Sequence, residues 1–131
     1  MMSTGSPQVQ TEGAGRVDKP WGYELRWAIT DRYLGKIIHV NTGHQLSLQL
    51  HNEKDESIYV LNGVLDLVLE NESGQLETHR LTPGMSARVL PKQRHRFIGV
   101  EDCDIVEVSS PEIDDVVRLE DSYGREGTTE A

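Results

Sequence analysis

The chain has a single cysteine, Cys103, in 131 residues. An intrachain disulfide is therefore excluded, and a reducing compartment is expected. Cys103 lies in EDCDI, among acids that raise a thiol pKa, so it is a poor nucleophile. Basic residues are also scarce, with 13 Lys and Arg against 22 Asp and Glu, a formal net charge of -9. Nucleic acids and anionic membrane surfaces are bound by clustered cations, so neither is an expected partner. A small anionic ligand stays open, because one or two basic side chains in a pocket suffice. No apolar run approaches the roughly 18 residues of a membrane span. The opening MMSTGSPQVQTEGAG lacks the apolar core of a signal peptide, and a cytoplasmic location is the expectation. There is no internal repeat and no alternation of helix with strand, which speaks against a parallel α/β fold.

The chain does contain many short β-branched and aliphatic segments separated by turn signals. YELRWAI (23–29), LGKIIHV (34–40), QLSLQLH (45–51), SIYVL (57–61) and VLDLVLE (64–70) read as strands. QLETHRL (75–81), MSARVL (85–90), HRFIGV (95–100) and DIVEVSS (104–110) continue the rhythm. Asn62–Gly63 is a strong hairpin signal between two of them. EIDDVVRLED (112–121) has helical spacing at Ile113, Val116, Val117 and Leu119, which predicts a short C-terminal helical segment. Eight or nine strands at regular spacing predict an all-β sandwich or barrel. Its bounds are drawn at 17–125, after a disordered segment 1–16 rich in Ser, Thr, Gly and Gln and before a mobile tail 126–131.

SLQLHNEKDES (47–57) raises the question of chemistry. As a strand, 45–51 puts Gln45, Ser47, Gln49 and His51 on one face and Leu46, Leu48 and Leu50 on the other. The ordinary reading turns the leucines to the core and the polar residues to water. The alternative is a polar, ligand-bearing barrel mouth, with the leucines covered by a second layer or a partner subunit. Glu56 follows across a short polar turn, and His95 opens another strand after a Pro turn. An amide, two imidazoles and a carboxylate on neighbouring strands can converge on one point. Such a mixed N/O set suits a divalent ion, zinc first, with manganese, iron, cobalt or nickel as alternatives.

These residues resemble the cupins, antiparallel β-barrels of jelly-roll type. The first cupin motif runs Gly, five residues, His-x-His, three or four residues, Glu, six residues, Gly. Here it reads Gly43, Gln49-x-His51, Glu56, Gly63 at the same intervals, with Gln49 replacing the first histidine. The second motif is matched by Gly84 and His95 at a separation of eleven. Pro91 is displaced by one position, Lys92 or Gln93 stands where a glycine is expected, and Gly99 replaces an asparagine. KPWGYE (19–24), LSLQLH (46–51) and DDVVRLEDSYGR (114–125) look like the type II mannose-6-phosphate isomerase cupins, in which the first ligand is also Gln.

The resemblance implies a single cupin domain with Gln49, His51, Glu56 and His95 on a metal. It implies an aldose–ketose isomerase acting on a sugar phosphate, by metal-assisted proton transfer. Lys36 falls at a lysine of that branch and is the candidate base or phosphate anchor. Arg96 follows His95 as in the branch's His-Arg pair and is a second candidate catalytic residue, although alternation along a strand turns it away from His95. Lys36, Arg88 and Arg96 are the candidate phosphate contacts. Two other function classes stand beside this one: a metal cupin acting on another small polar substrate, such as a nucleotide sugar or natural-product intermediate, and a non-catalytic sugar-binding or regulatory cupin. Trp21 is expected to pack over one end of the barrel. The alternate leucines and the strand edges predict a homodimer.

Overall fold

A computed structural model describes residues 8–11 and 13–127. The expectations for residues 1–7, 12 and 128–131 lie outside these described residues. Nine strands make one curled antiparallel sheet, and no helix occurs among the described residues. They are β1 (Gly15–Lys19), β2 (Gly22–Ile29), β3 (Leu34–Val40), β4 (Leu48–Leu50), β5 (Glu56–Glu70), β6 (Leu76–Leu81), β7 (Ser86–Val89), β8 (His95–Ser109) and β9 (Val117–Glu120).

Two strands, β5 and β8, are 15 residues long and run through both halves of the molecule. Their mutual pairing extends from Glu56↔Ser109 to Leu69↔His95. The far half of β8 pairs with β3, which leads to β2 and β1. Its near half meets β4, and β4 meets β9. The sheet thus folds over at the middle of the two long strands, and its inner faces enclose the core. Ile58, Val60, Leu65, Leu67, Phe97, Cys103 and Ile105 fill that core with Val40, Ile38 and Trp21.

Three expectations are corrected here. First, Asn62–Gly63 is not a hairpin turn. The inward-facing set of β5 changes from even positions (Glu56, Ile58, Val60) to odd ones (Leu65, Leu67), and register irregularities between Val60 and Leu65 absorb the change. A bend inside one strand therefore carries the same residue signal as a turn between two. Gly63 has φ 76°, and a Cβ there would lie 2.0 Å from the Asp102 carbonyl oxygen, so only glycine fits. Second, 95–100 and 104–110 are one strand, bent opposite the same point. Third, the C-terminal helical segment is absent. Residues 111–116 form turns, and Val117–Glu120 adds to the sheet beside β4. Its apolar spacing is satisfied by closing a wall, with Val116 and Arg118 buried and Leu119 exposed.

That wall also answers the leucine question. Leu46 and Leu48 are buried within the single chain, and β9 flanks β4, so no partner subunit is needed to cover them. Trp21 is buried and packs within the core cluster.

Candidate metal centre

His51 leaves the end of β4, Glu56 opens β5 and His95 opens β8, so three strand ends aim three donors into the barrel. One ligand atom from each lies within 4.8 Å of the others, and all three residues are buried. The imidazole rings are 5.0 Å apart, centre to centre. Each ring is fixed by its outer nitrogen. His51 Nδ1 lies 2.5 Å from the Asp115 carbonyl oxygen, and His95 Nδ1 lies 2.9 Å from that of Gln93. A carbonyl only accepts, so both Nδ1 atoms carry the proton, and in the neutral ring Nε2 presents a lone pair.

Both lone pairs face Glu56. His51 Nε2 is 2.9 Å from Glu56 Oε1, and His95 Nε2 is 3.4 Å from the same oxygen. His95 Nε2 is buried without a hydrogen-bond partner. Two ring lone pairs and a carboxylate oxygen repel unless a proton or a cation lies between them. This donor set, with its orphaned ring nitrogen, fits a divalent metal ion, and the backbone carbonyls behind the rings supply the outer support that metal-bound histidines use.

His51 and Glu56 line a cavity of about 60 Å³, and His95 is not among its lining residues. Gln49, Lys36, Lys54, Glu24, Glu107, Lys19, Arg118 and Arg125 share its lining, with Trp21, Leu46, Phe97, Ile113 and Val116 as apolar wall. Gln49 is the register neighbour of His95, and its Oε1 accepts a hydrogen bond from Ser47 Oγ at 3.0 Å. Lys36 is buried, 3.4 Å from Glu24, not a surface lysine. Arg96 does not join the cavity. Its guanidinium donates to the carbonyls of Leu46 and Glu120, at 3.0 and 3.2 Å, and ties β8 to the strand ends beside it. Arg88 lies outside the cavity too, in an exposed pair with Asp55. His39 stacks on Tyr23 and pairs with Asp104, His44 meets the Tyr123 hydroxyl, and His79 is exposed beside Glu77.

Several residues here were not singled out from the sequence. Glu107 and Lys54 face each other at 3.1 Å in the buried wall. Burial, with the neighbouring Glu56 charge, pushes the Glu107 carboxyl up to about 8. Burial opposes ionisation of Glu56 as well, but the neighbouring Glu107 carboxyl, the adjoining His51 and His95 rings and the charge of Lys54 outweigh it and hold Glu56 well below the usual carboxylate range. Of the two carboxyls, Glu107 is the one that burial drives toward its protonated form. The position of Glu107 was readable: it shares parity with Cys103, Ile105 and Ser109 along β8. Lys54 had no such signal, since it lies in a turn of polar residues.

Asp115 was also missed. Its carboxylate accepts the backbone N–H groups of Asn52, Glu53 and Lys54, at 2.9, 2.7 and 3.0 Å. With its own carbonyl on His51, one residue of the C-terminal segment holds both a metal-type donor and the turn that carries Lys54. Cys103 is buried in the core, and burial, with a smaller push from Asp104 and Asp102, raises its thiol to about 11, so it is inert as expected.

Comparison with known proteins matches the family described as mannose-6-phosphate isomerase C-terminal over residues 7–121. The chain is 31% identical over 121 residues to the alginate biosynthesis protein AlgA of Pseudomonas aeruginosa, covering 88% of this chain and 24% of that protein. It is 36% identical over 124 residues to the mannose-1-phosphate guanylyltransferase ManC of Salmonella typhimurium, covering 83% of this chain and 23% of that protein. The chain therefore spans about a quarter of the length of these curated relatives. Among solved structures, KdgF from a Halomonas species superposes with a TM-score of 0.66 at 22% identity, over 74% of this chain and 86% of that one. Oxalate decarboxylase from Bacillus subtilis gives 0.72 at 13% identity, over 81% of this chain and 30% of that one. These two likenesses speak for the fold alone.

Proposed function

The chain belongs to the mannose-6-phosphate isomerase C-terminal family, a cupin branch, and on that premise we propose that it is a metal-dependent aldose–ketose isomerase for a phosphorylated sugar of the mannose-6-phosphate type. The observation that carries this reading is the convergence of His51, Glu56 and His95, with both rings presenting Nε2 to one point. A divalent ion held there, zinc, manganese, iron, cobalt or nickel, would supply polarisation of the sugar carbonyl. Gln49 borders the same space and is the fourth candidate ligand.

The chain's own side chains do the rest. Isomerisation takes a proton from the carbon beside the carbonyl and returns it to the neighbouring carbon. Lys36 is the candidate proton carrier, because its amine lines the cavity and has Glu24 as a relay at 3.4 Å. Trp21, Phe97 and Leu46 keep bulk water from the reacting carbons. Arg96 has no part in this account, since its guanidinium is spent on two backbone carbonyls. A cavity of about 60 Å³ holds only a few waters. A hexose phosphate therefore enters by displacing the C-terminal wall around Ile113, Val116 and Arg118.

Elemental analysis of protein purified without an affinity-metal step is the test. Near one equivalent of metal is expected in wild type, falling on the order of a hundredfold in affinity or more in His51→Ala and His95→Ala. Interconversion of mannose 6-phosphate and fructose 6-phosphate is then assayed, with Lys36→Met expected to lose turnover while keeping its metal. Wild type that takes up no metal on dialysis overturns the reading. The narrow cavity favours one second reading, a sugar-binding cupin without turnover. It predicts saturable ligand binding with no interconversion.

A further inference from the structure

Among the described residues, the strands β1, β6, β7 and β9 each have a single neighbour in the sheet. The longest of them is β6, and its residues 76–80 are all exposed. Open edges are ordinarily blunted by lysine, proline or a bulge. LETHRL has neither lysine nor proline, and its pairing with β5 runs from Leu65↔Leu81 to Glu70↔Leu76 without a register shift. The backbone of this hairpin fixes which groups face outward. Asn71 N–H donates to the Gln75 carbonyl at 2.7 Å, so Leu69↔Glu77, Leu67↔His79 and Leu65↔Leu81 are the pairs that exchange hydrogen bonds. Glu70 agrees, since its N–H donates the other way, to the Arg94 carbonyl at 2.9 Å. Leu76, Thr78 and Arg80 therefore point their N–H and C=O groups away from β5, where no described strand pairs with them. A chain of net charge -9 repels its own copy, yet this strand carries one Glu and one Arg and is locally balanced.

We propose that β6 is a dimerisation edge, which pairs antiparallel with β6 of a second copy across a twofold axis at Thr78. Such an axis stands normal to the sheet and keeps each face on its own side. Only residues of equal parity can then lie opposite each other. Charge chooses among the registers this allows. Centring on Glu77 sets two carboxylates face to face. Centring on His79 sets two imidazoles face to face and Glu77 against Leu81. Centring on Thr78 sets Glu77 opposite His79 of the partner subunit, twice, and Thr78 opposite its own copy. It also lays Leu76, 40% exposed in the single chain, along the stem of the partner's Arg80. In that register Thr78 exchanges backbone bonds with its copy, and each Leu76–Arg80 pair does the same. The bonds from Arg80 to Asp66 and from Asn71 to Glu77 stay in place, because they lie within the β5–β6 hairpin. The inference is independent of the isomerase reading.

The test is sedimentation equilibrium of the full chain, with melting to verify that each variant is folded. Wild type should form a dimer in the micromolar range, as suits a small edge interface. Thr78→Pro removes an outward N–H and none that bonds β5, so it should fold and sediment as a monomer. Glu77→His and His79→Glu each set like groups opposite each other and should weaken the dimer roughly tenfold. Their combination restores unlike groups and should return it to within about threefold of wild type. Should Thr78→Pro fail to fold, the exchange of Glu77 and His79 carries the test. Wild type that stays a monomer up to its solubility limit overturns the proposal. A dimer that survives in folded Thr78→Pro overturns it as well and places the interface elsewhere. Single variants that associate like wild type, or a double variant that fails to recover, overturn the register.

Discussion

Ion pairs of the same chemistry occur inside the barrel and on its outer surface, under opposite conditions. Inside, Lys54 meets Glu107 at 3.1 Å and Lys36 meets Glu24 at 3.4 Å, with all four side chains nearly sealed from water. Outside, Arg88 meets Asp55 at 2.6 Å and Arg80 meets Asp66 at 3.0 Å, with the arginines some 60% exposed. The outer pairs are shorter, yet distance does not rank their worth. Water screens the outer pairs and replaces either partner when it is removed. The inner pairs matter through what breaking them leaves behind, a charge with no solvent. An apolar filling of similar volume would hold the barrel together at least as well. The charged lining of the cavity is therefore better explained by chemistry than by stability.

The contrast can be broken most directly at Lys54. Lys54→Met should cost about 3 kcal/mol in urea unfolding, since it leaves the buried Glu56 and Glu107 carboxyls without the cation they share. Adding Glu107→Leu should recover most of that loss, and failure to recover would mean the pair itself stabilises the fold. Asp115 sharpens the contrast from the rim, where it is half-buried. Asp115→Ala should weaken metal binding about tenfold in a chelator competition, because the turn 52–54 and the carbonyl on His51 lose their shared anchor. A smaller effect concerns acid. Burial pushes the Glu24 carboxyl up, but Lys36, the Arg26 hydrogen bond and Lys19 outweigh it and hold it below its ordinary 4.5. Its folded pKa is lower than its unfolded one, so its contribution is complete above about pH 4.5 and is lost as pH falls below that. Melting temperature should drop on acidification from pH 5.5 to 3.5, and Glu24→Gln should show a shallower drop. The smallest effect belongs to the surface, where Arg88→Ala should leave the melting temperature unchanged. A large drop there would erase the distinction between inside and outside.

The all-β class, the strand rhythm and the three central donors were legible in the sequence, for a shared reason. Period-two alternation and ligand spacing are local signals, and the residues 49–56 carry both. Gln49, His51 and Glu56 flank one tight turn, so their spacing along the chain nearly fixes their spacing in space. His95 was placed through its distance from Gly84. The departures in that second motif also acquire physical reasons. Lys92, which with Gln93 stood for the expected glycine, adopts φ 66°, a conformation that glycine takes without strain. Gly99, at the expected asparagine, lies where a Cβ would come 2.4 Å from the Asn41 carbonyl oxygen, so no side chain fits.

What was not legible depends on long-range pairing. Arg118 and Asp115 act on the site only because β9 returns to β4, some seventy residues away. The helical spacing of 112–121 was real but was overridden by an open strand edge. Arg96 was drawn into the site by its adjacency to His95, although alternation already turned it outward. Lys19 stood only as the first residue of KPWGYE, and its neighbours across the cavity could not be known before the sheet was closed.

Asp115 gives the molecule an order in time. A chain is made from its first residue onward, and His51, Glu56 and His95 are all present before Asp115 is added. Until then the His51 ring has no carbonyl to set its tautomer, and the turn 52–54 has no carboxylate to hold it. The ordered donor set therefore arrives late, as a sign that the last strand has been laid in place. For the cell, a loaded centre would report a finished wall, and a chain cut short before residue 115 would keep all three donors yet bind loosely.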